Sequence, residues 1–238
     1  MRTCEFTLSG ARLTALPSGG LWWSERGILC VSDLHFGKAA RPARHGGAVL
    51  PPYDNAATLG KLEKDILTRN PETVICLGDS FDSLDAEEEM APADQSWLVC
   101  LMAGRRWVWI EGNHDPGPVA IGGTHLARLR AEPLVFRHEA DPDARGEISG
   151  HFHPKTGITV KGRHISRPCF LVDDRRVILP GGQRSIMLLE LQTARPLLGD
   201  VQLVTRSGDK HLMKHLPNAD GVVSRILEAR DRRAKRRD

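Results

Sequence analysis

Three apolar runs, Gly27–Ser32, Thr73–Leu77 and Arg106–Ile110, each end in residues suited to bind a metal or carry a proton. The first runs into Asp33-Leu-His35, the second into Gly78-Asp79, and the third into Glu111-Gly-Asn113-His114-Asp115. Between them lie two segments with a helical pattern. In Asp54–Arg69, Leu59, Leu62, Ile66 and Leu67 recur on one face, with Pro71 just beyond; the second spans about Ala93–Ala103. Strand, helix, strand, helix, strand at these spacings predicts parallel pairing with helices packed outside the sheet. The first two strands are apolar nearly throughout, as strands covered on both faces are. Ligands gather at the carboxyl ends of strands in such sheets, so the three clusters should meet in one site.

Elsewhere the chain reads as short strands. Glu5–Leu8, Arg12–Ala15 and Leu21–Ser24 are separated by Gly10 and by the Pro17-Ser-Gly-Gly20 turn. Further β-like runs fall at Pro133–His138, Gly146–Ser149, Cys169–Val172 and Arg176–Leu179, with no long helix between them. The run ending at Ser149 opens into Gly150-His151-Phe152-His153, a fourth polar cluster expected to converge on the same site. The expected architecture is α/β: a sandwich of sheets flanked by helices, with no internal repeat and no linker. The patterned region, residues 1–180, is expected to form one domain. In residues 181–238 the signals weaken, and 224–235 reads as a charged terminal helix or a frayed tail. One tryptophan of each pair Trp22/Trp23 and Trp107/Trp109 is expected in the core. Asp82, Asp85 and Glu87–Glu89 read as solvated turn or surface acids.

Charge identifies no partner by itself. The net charge is +3, but Arg225–Asp238 holds seven basic and three acidic residues, so the preceding body sums to −1. No run approaches the roughly 20 apolar residues of a membrane span. The opening MRTCEFTLSG has no apolar core of a secretory signal. Five dispersed cysteines (Cys4, Cys30, Cys76, Cys100, Cys169) fit a reducing cytoplasm and argue against a thiolate zinc site. A cytoplasmic location with no membrane partner is therefore expected.

The clustered residues define the chemistry. Carboxylates, imidazoles and one amide oxygen form a mixed N/O ligand set suited to Mn²⁺, Fe or Zn²⁺ rather than Ca²⁺. Asp33 and His35, like His151 and His153, are two residues apart and can point to the same side of a turn. A single ion needs about four to six such groups, and the chain offers more. Two ions sharing a carboxylate use the surplus, and such a pair hydrolyses phosphate esters by activating a water and clamping the phosphoryl oxygens. Gly112 and Gly150 are expected to let the backbone turn tightly beside these ligands.

The ordered blocks Asp33-X-His35, Gly78-Asp79, Gly112-Asn113-His114-Asp115, an isolated His138 and Gly150-His151-X-His153 resemble the signature of calcineurin-like metallophosphoesterases. That resemblance implies a β-sandwich flanked by α-helices in four layers, α/β/β/α. It implies that Asp33, His35 and His153 hold a first metal, that Asp79 bridges, and that Asn113, His138 and His151 hold a second. It further implies that His114 stabilises the phosphoryl charge or protonates the leaving group, with Asp115 orienting it. A narrower resemblance, carried by Leu21-Trp-Trp23, Leu50-Pro-Pro-Tyr-Asp54, Leu77-Gly-Asp-Ser-Phe81 and Arg167-Pro-Cys-Phe170, is to bacterial ligase-associated phosphoesterases of the DNA damage response. It implies a manganese-dependent phosphodiesterase or endonuclease acting on nucleic acid in DNA repair, associated with a DNA ligase and a helicase. Many of these relatives carry histidine where this chain has Asp82, and the chain departs from their pattern after Pro180. Arg41 and Arg44 follow the first block and are candidates to meet a phosphate backbone. Two alternatives fit the same residues: a phosphoesterase of a small molecule or lipid-linked pyrophosphate, and a non-catalytic binding module on the same fold.

Overall fold

The computed structural model describes residues 3–38, 53–160 and 163–181, together with two short strands at 203–204 and 212–215. Seven strands form the first sheet in chain order: β1 (Cys4–Leu8), β2 (Ala11–Ala15), β3 (Leu21–Trp23), β4 (Ile28–Val31), β5 (Thr73–Cys76), β6 (Arg106–Ile110) and β7 (Thr124–Leu126). Pairing is antiparallel from β1 to β4 and parallel from β4 to β7. Two helices, α1 (Tyr53–Arg69) and α2 (Pro92–Met102), provide the crossovers from β4 to β5 and from β5 to β6. Pro92 at the start of α2 fits a position whose amide needs no helical partner.

The second sheet has eight strands: β8 (Arg128–Ala131), β9 (Leu134–Arg137), β10 (Glu147–Ser149), β11 (Lys155–Val160), β12 (Arg163–Val172), β13 (Arg176–Ile178), β14 (Leu203–Val204) and β15 (Leu212–His215). Its order is β14-β15-β12-β13-β10-β9-β8, with β11 paired to β12. The expected strands at 133–138, 146–149, 169–172 and 176–179 are all present in this sheet. β7, β8, β11, β14, β15 and the first half of β12 do not stand out in the sequence pattern.

Strand alternation explains why the first sheet is apolar on both sides. Ile28, Cys30, Ile75, Val108 and Ile110 pack toward the second sheet, against Phe136, Ile148, Phe170 and Val177. Leu29, Val31, Val74, Cys76, Trp107 and Trp109 point the other way, against Leu59, Leu62 and Ile66 of α1 and Leu98 and Leu101 of α2. A one-residue slip in any central strand would exchange these sets, so the register is firmly specified. It is this register that fixes where the strand ends, and the polar clusters beyond them, lie.

Two expectations change here. Leu67 does not share the buried face of α1; it is 74% exposed, lying about 80° around the helix from Leu59 at 100° per residue. All four paired tryptophans are buried, rather than one of each pair. Trp107 and Trp109 lie under the helices, whereas Trp22 and Trp23 face opposite sides of the sheet. Both α-helices among the described residues cover the first sheet, and the expected terminal helix at 224–235 lies outside them. No helix among the described residues is long and apolar enough to cross a membrane.

Candidate metal centre

Each polar cluster occupies the loop directly after a strand, and the loops are tied to one another. Asp33 N donates to Gly78 O at 3.2 Å, His35 N to Asp79 O at 3.0 Å and Phe36 N to Ser80 O at 2.8 Å, which zips the loop after β4 to the loop after β5. His151 N donates to Asp33 Oδ2 at 3.1 Å, linking the second sheet to the first. These bonds hold an unusual backbone. Asp33, His35, Asp79, His151 and His153 all have positive φ, between 43° and 63°. Only two other non-glycine residues among those described share this feature, so the left-handed conformation is concentrated at the expected ligands. Such conformations cost on the order of 1–3 kcal/mol each and persist where the surroundings over-determine them.

The loops assemble two groups of potential ligands: Asp33 with His35 and His153, and Asp79 with His138 and His151. Within each group the ligand atoms lie within 4.8 Å of one another. In the first, Asp33 is fully buried and its Oδ1 is 3.0 Å from His153 Nε2. Burial alone would raise the Asp33 carboxyl, but the His153 and Ser32 contacts outweigh it and the net shift is downward, toward the anionic ligand form. Burial lowers His35 to about 4, keeping its ring neutral and able to donate a lone pair.

In the second group, His138 Nδ1 lies 2.7 Å from Leu77 O. A carbonyl only accepts, so His138 carries a proton on Nδ1 and turns Nε2 toward the site. That Nε2 is 3.5 Å from Asp79 Oδ2 and 3.1 Å from His151 Nδ1. Two imidazole nitrogens and a carboxylate oxygen gathered within 4.8 Å form a donor set that fits a divalent cation. Asp79 Oδ1 accepts from His114 N at 2.9 Å while Oδ2 faces His138 of the second group.

Asn113 and His114 are exposed on the loop after β6, and the His114 ring lies edge-on to His35 with centroids 5.5 Å apart. Asp115 turns away from the expected task of orienting His114. Its buried carboxylate accepts from the backbone amides of Asp79 (2.8 Å), Ser80 (2.8 Å) and Phe81 (3.2 Å). Burial pushes its pKa up to about 6, partly opposed by those amides. Asp82, read from sequence as a solvated turn acid, is 5% exposed, with Oδ1 3.9 Å from His35 Nδ1. Arg41 and Arg44 lie outside the described residues.

The glycines matter through contact more than through φ. Neither Gly112 nor Gly150 has positive φ, contrary to the tight-turn expectation. A Cβ on Gly112 would instead sit 2.1 Å from Asp79 N, and one on Gly150 would sit 1.9 Å from Ser32 Oγ and 2.7 Å from Asp33 Oδ2. Gly181 plays the same part for His153, since a Cβ there would lie 2.8 Å from three ring atoms. Gly181 is not among the expected site residues; only its place in the sequence Pro-Gly-Gly marks it. The Leu77 carbonyl that sets the His138 tautomer leaves no side-chain signal at all.

The sequence profile of the calcineurin-like phosphoesterase family matches residues 27–232. The chain belongs to that family. Among solved structures, this calcineurin-like phosphoesterase is similar to the Pseudomonas putida nuclease MPE at 26% identity and a TM-score of 0.61. The match covers 83% of this chain and 94% of that one. A conserved uncharacterized protein from Streptococcus pneumoniae, described as a predicted phosphoesterase, matches at 16% identity with a TM-score of 0.29. That match covers 66% of this chain and 71% of the other, and the resemblance is too weak to argue from. No curated protein matches the chain. Family and site geometry together make the protein a metal-dependent phosphoesterase on the metallophosphoesterase fold.

Proposed function

We propose that the chain is a phosphodiesterase that uses two divalent cations, with Mn²⁺ the working ion, to cut nucleic acid in DNA repair. The observation that carries the reading is the pair of three-residue ligand groups on loops tied by Asp33, Asp79 and their amide partners. Asp33, His35 and His153 would hold one cation, and Asn113, His138 and His151 the other, with Asp79 between them. Cations held there supply Lewis acidity, lowering the pKa of a water and neutralising charge on the phosphoryl oxygens.

The chain's own groups do the rest. Buried Asp33 and neutral His35 keep the first group in its ligating protonation state. The Leu77 carbonyl fixes the His138 tautomer. His114, anchored through its amide to Asp79 Oδ1, stands exposed at the rim, where its imidazole can pass a proton to a departing oxygen. The similarity to a P. putida nuclease and the basic run after Arg225 favour a polyanionic substrate.

The test is hydrolysis of bis(p-nitrophenyl) phosphate and of single-stranded, nicked and flapped DNA, with Mn²⁺ and with chelator. The expected result is Mn²⁺-dependent cleavage of both substrate types, abolished by Asp79→Ala, with DNA turnover falling as salt rises. DNA left intact while the small diester is cut would remove the nucleic-acid assignment. Metal-independent turnover, or Asp79→Ala matching the parent, would remove the mechanism.

A further inference from the structure

The loops after β5 and β6 hold each other by a reciprocal exchange of hydrogen bonds. Asp115 accepts from three consecutive amides of the β5 loop: Oδ1 from Asp79 N, and Oδ2 from Ser80 N and Phe81 N. In return, Asp79 Oδ1 accepts from His114 N in the β6 loop. Gly112 closes the clasp, its Cα packed so tightly that an added Cβ would lie 2.5 Å from both Asp115 Oδ1 and Asp79 Oδ1. Both carboxylates are buried, at 6% and 5% exposure, so water does not readily replace the bonds. At the centre is Asp79, held at φ 46° with one oxygen fixed to an amide and the other directed at His138.

We infer that Asp115 is a positioning residue for the shared metal ligand: it acts through the Asp79–Phe81 amides to fix Asp79, and not through the imidazole of His114. Both Asp115 oxygens are engaged by the β5 loop, so His114 feels Asp115 only through the backbone they share. The clasp also makes Asp79 and the His114 backbone one unit, which keeps the ligand and the candidate proton donor in constant relation. The positioning role rests on the metal-dependent reading above; the clasp itself stands on hydrogen bonds alone.

The test uses the full chain and Asp115→Asn, which keeps the shape but puts an amide NH₂ against a backbone donor. Amide hydrogen exchange is measured without metal, then Mn²⁺ alone is titrated, then the pH profile of kcat is recorded at saturating Mn²⁺. In the variant, exchange at Asp79, Ser80 and Phe81 is expected to be at least about tenfold faster, and Mn²⁺ affinity roughly 10–100-fold weaker. The pH profile should keep the parent's shape. Should Asp115→Asn not fold, Asp115→Glu, which keeps both acceptor oxygens on a longer arm, is expected to show the same directions with smaller effects. Parent-like exchange overturns the clasp. Parent-like Mn²⁺ affinity with an altered pH profile overturns the positioning role and returns Asp115 to His114. A parent chain that binds no Mn²⁺ overturns the proposed function and the positioning role together, whereas a binding parent with an unresponsive variant overturns the positioning role alone.

Discussion

Gly112→Ala adds one methyl group at the point where the two central loops touch. The new Cβ would stand 2.1 Å from Asp79 N, 2.5 Å from Asp79 Oδ1 and 2.5 Å from Asp115 Oδ1. Carbon in ordinary contact needs about 3.5 Å, so the loops must part by roughly 1–1.4 Å. The nearest of these atoms is backbone, which cannot swing aside as a side-chain tip would. Overpacking of this kind destabilises by about 1–3 kcal/mol. The functional loss should be larger, because a displacement near 1 Å in a positioned site costs about 100-fold in rate. Gly60→Ala is the matched control: it lies inside α1, and its Cβ would meet only Trp97 Cη2 at 3.8 Å. That substitution should raise stability by about 0.5–1 kcal/mol through helix propensity and leave activity alone. Thermal melts of both variants, with Mn²⁺-supported hydrolysis of a small phosphodiester, make the comparison. Gly112→Ala with parent-like turnover and melting would refute the packing argument, since the same contact distances could not then be present.

Three further outcomes are expected. His153 sits at φ 43°, so without metal His153→Gly should be more stable than His153→Ala by about 1 kcal/mol although both lose a ligand; a more stable alanine variant would show that the left-handed backbone is not imposed. Gly181→Ala should weaken Mn²⁺ binding about tenfold by pushing on the His153 ring, read by titration calorimetry, and an unchanged isotherm would dismiss that contact. Glu147, fully buried at the start of β10, is raised to about 7, by burial first, despite the Asp141 amide, Arg176 and Arg137. Its folded pKa lies above its ordinary 4.5, so its contribution is fully present below about 4.5 and is lost as pH rises through 7. The loss is on the order of 3 kcal/mol, and Glu147→Gln, which cannot titrate, should flatten the stability curve over that window. Parallel curves for parent and variant would exclude Glu147 as the source.

The sequence made the middle of the molecule legible because two constraints coincide there. β4, β5 and β6 are covered on both faces, so their apolar runs stand out, and each stops where a polar loop must begin. The six carboxylates and imidazoles among the expected ligands fall into the two groups the structure assembles, and the amide Asn113 is exposed on the loop after β6. β7 and β8, which do not stand out in the sequence, lack such coverage. β8 reads Arg-Leu-Arg-Ala on an edge with its arginines exposed, and β7 is three residues long with a threonine and a histidine. β12 changes partners part-way: it pairs β11 through Pro168 and β15 from Cys169 onward, so Pro168 marks an exchange of neighbours. Side-chain roles were least legible where a backbone group is the partner. Asp115 was assigned to the adjacent imidazole, yet its partners are amides more than thirty residues away, which sequence order does not reveal.

Metal stoichiometry tests the central claim most directly. Metal-free chain is titrated with Mn²⁺, alongside His153→Ala and His151→Ala, and bound metal is counted per chain. Two equivalents are expected for the parent, with each variant losing affinity for one of them while retaining the other. A single equivalent in the parent, or two variants that both leave the count and affinities unchanged, would contradict the two-group site on which this account stands.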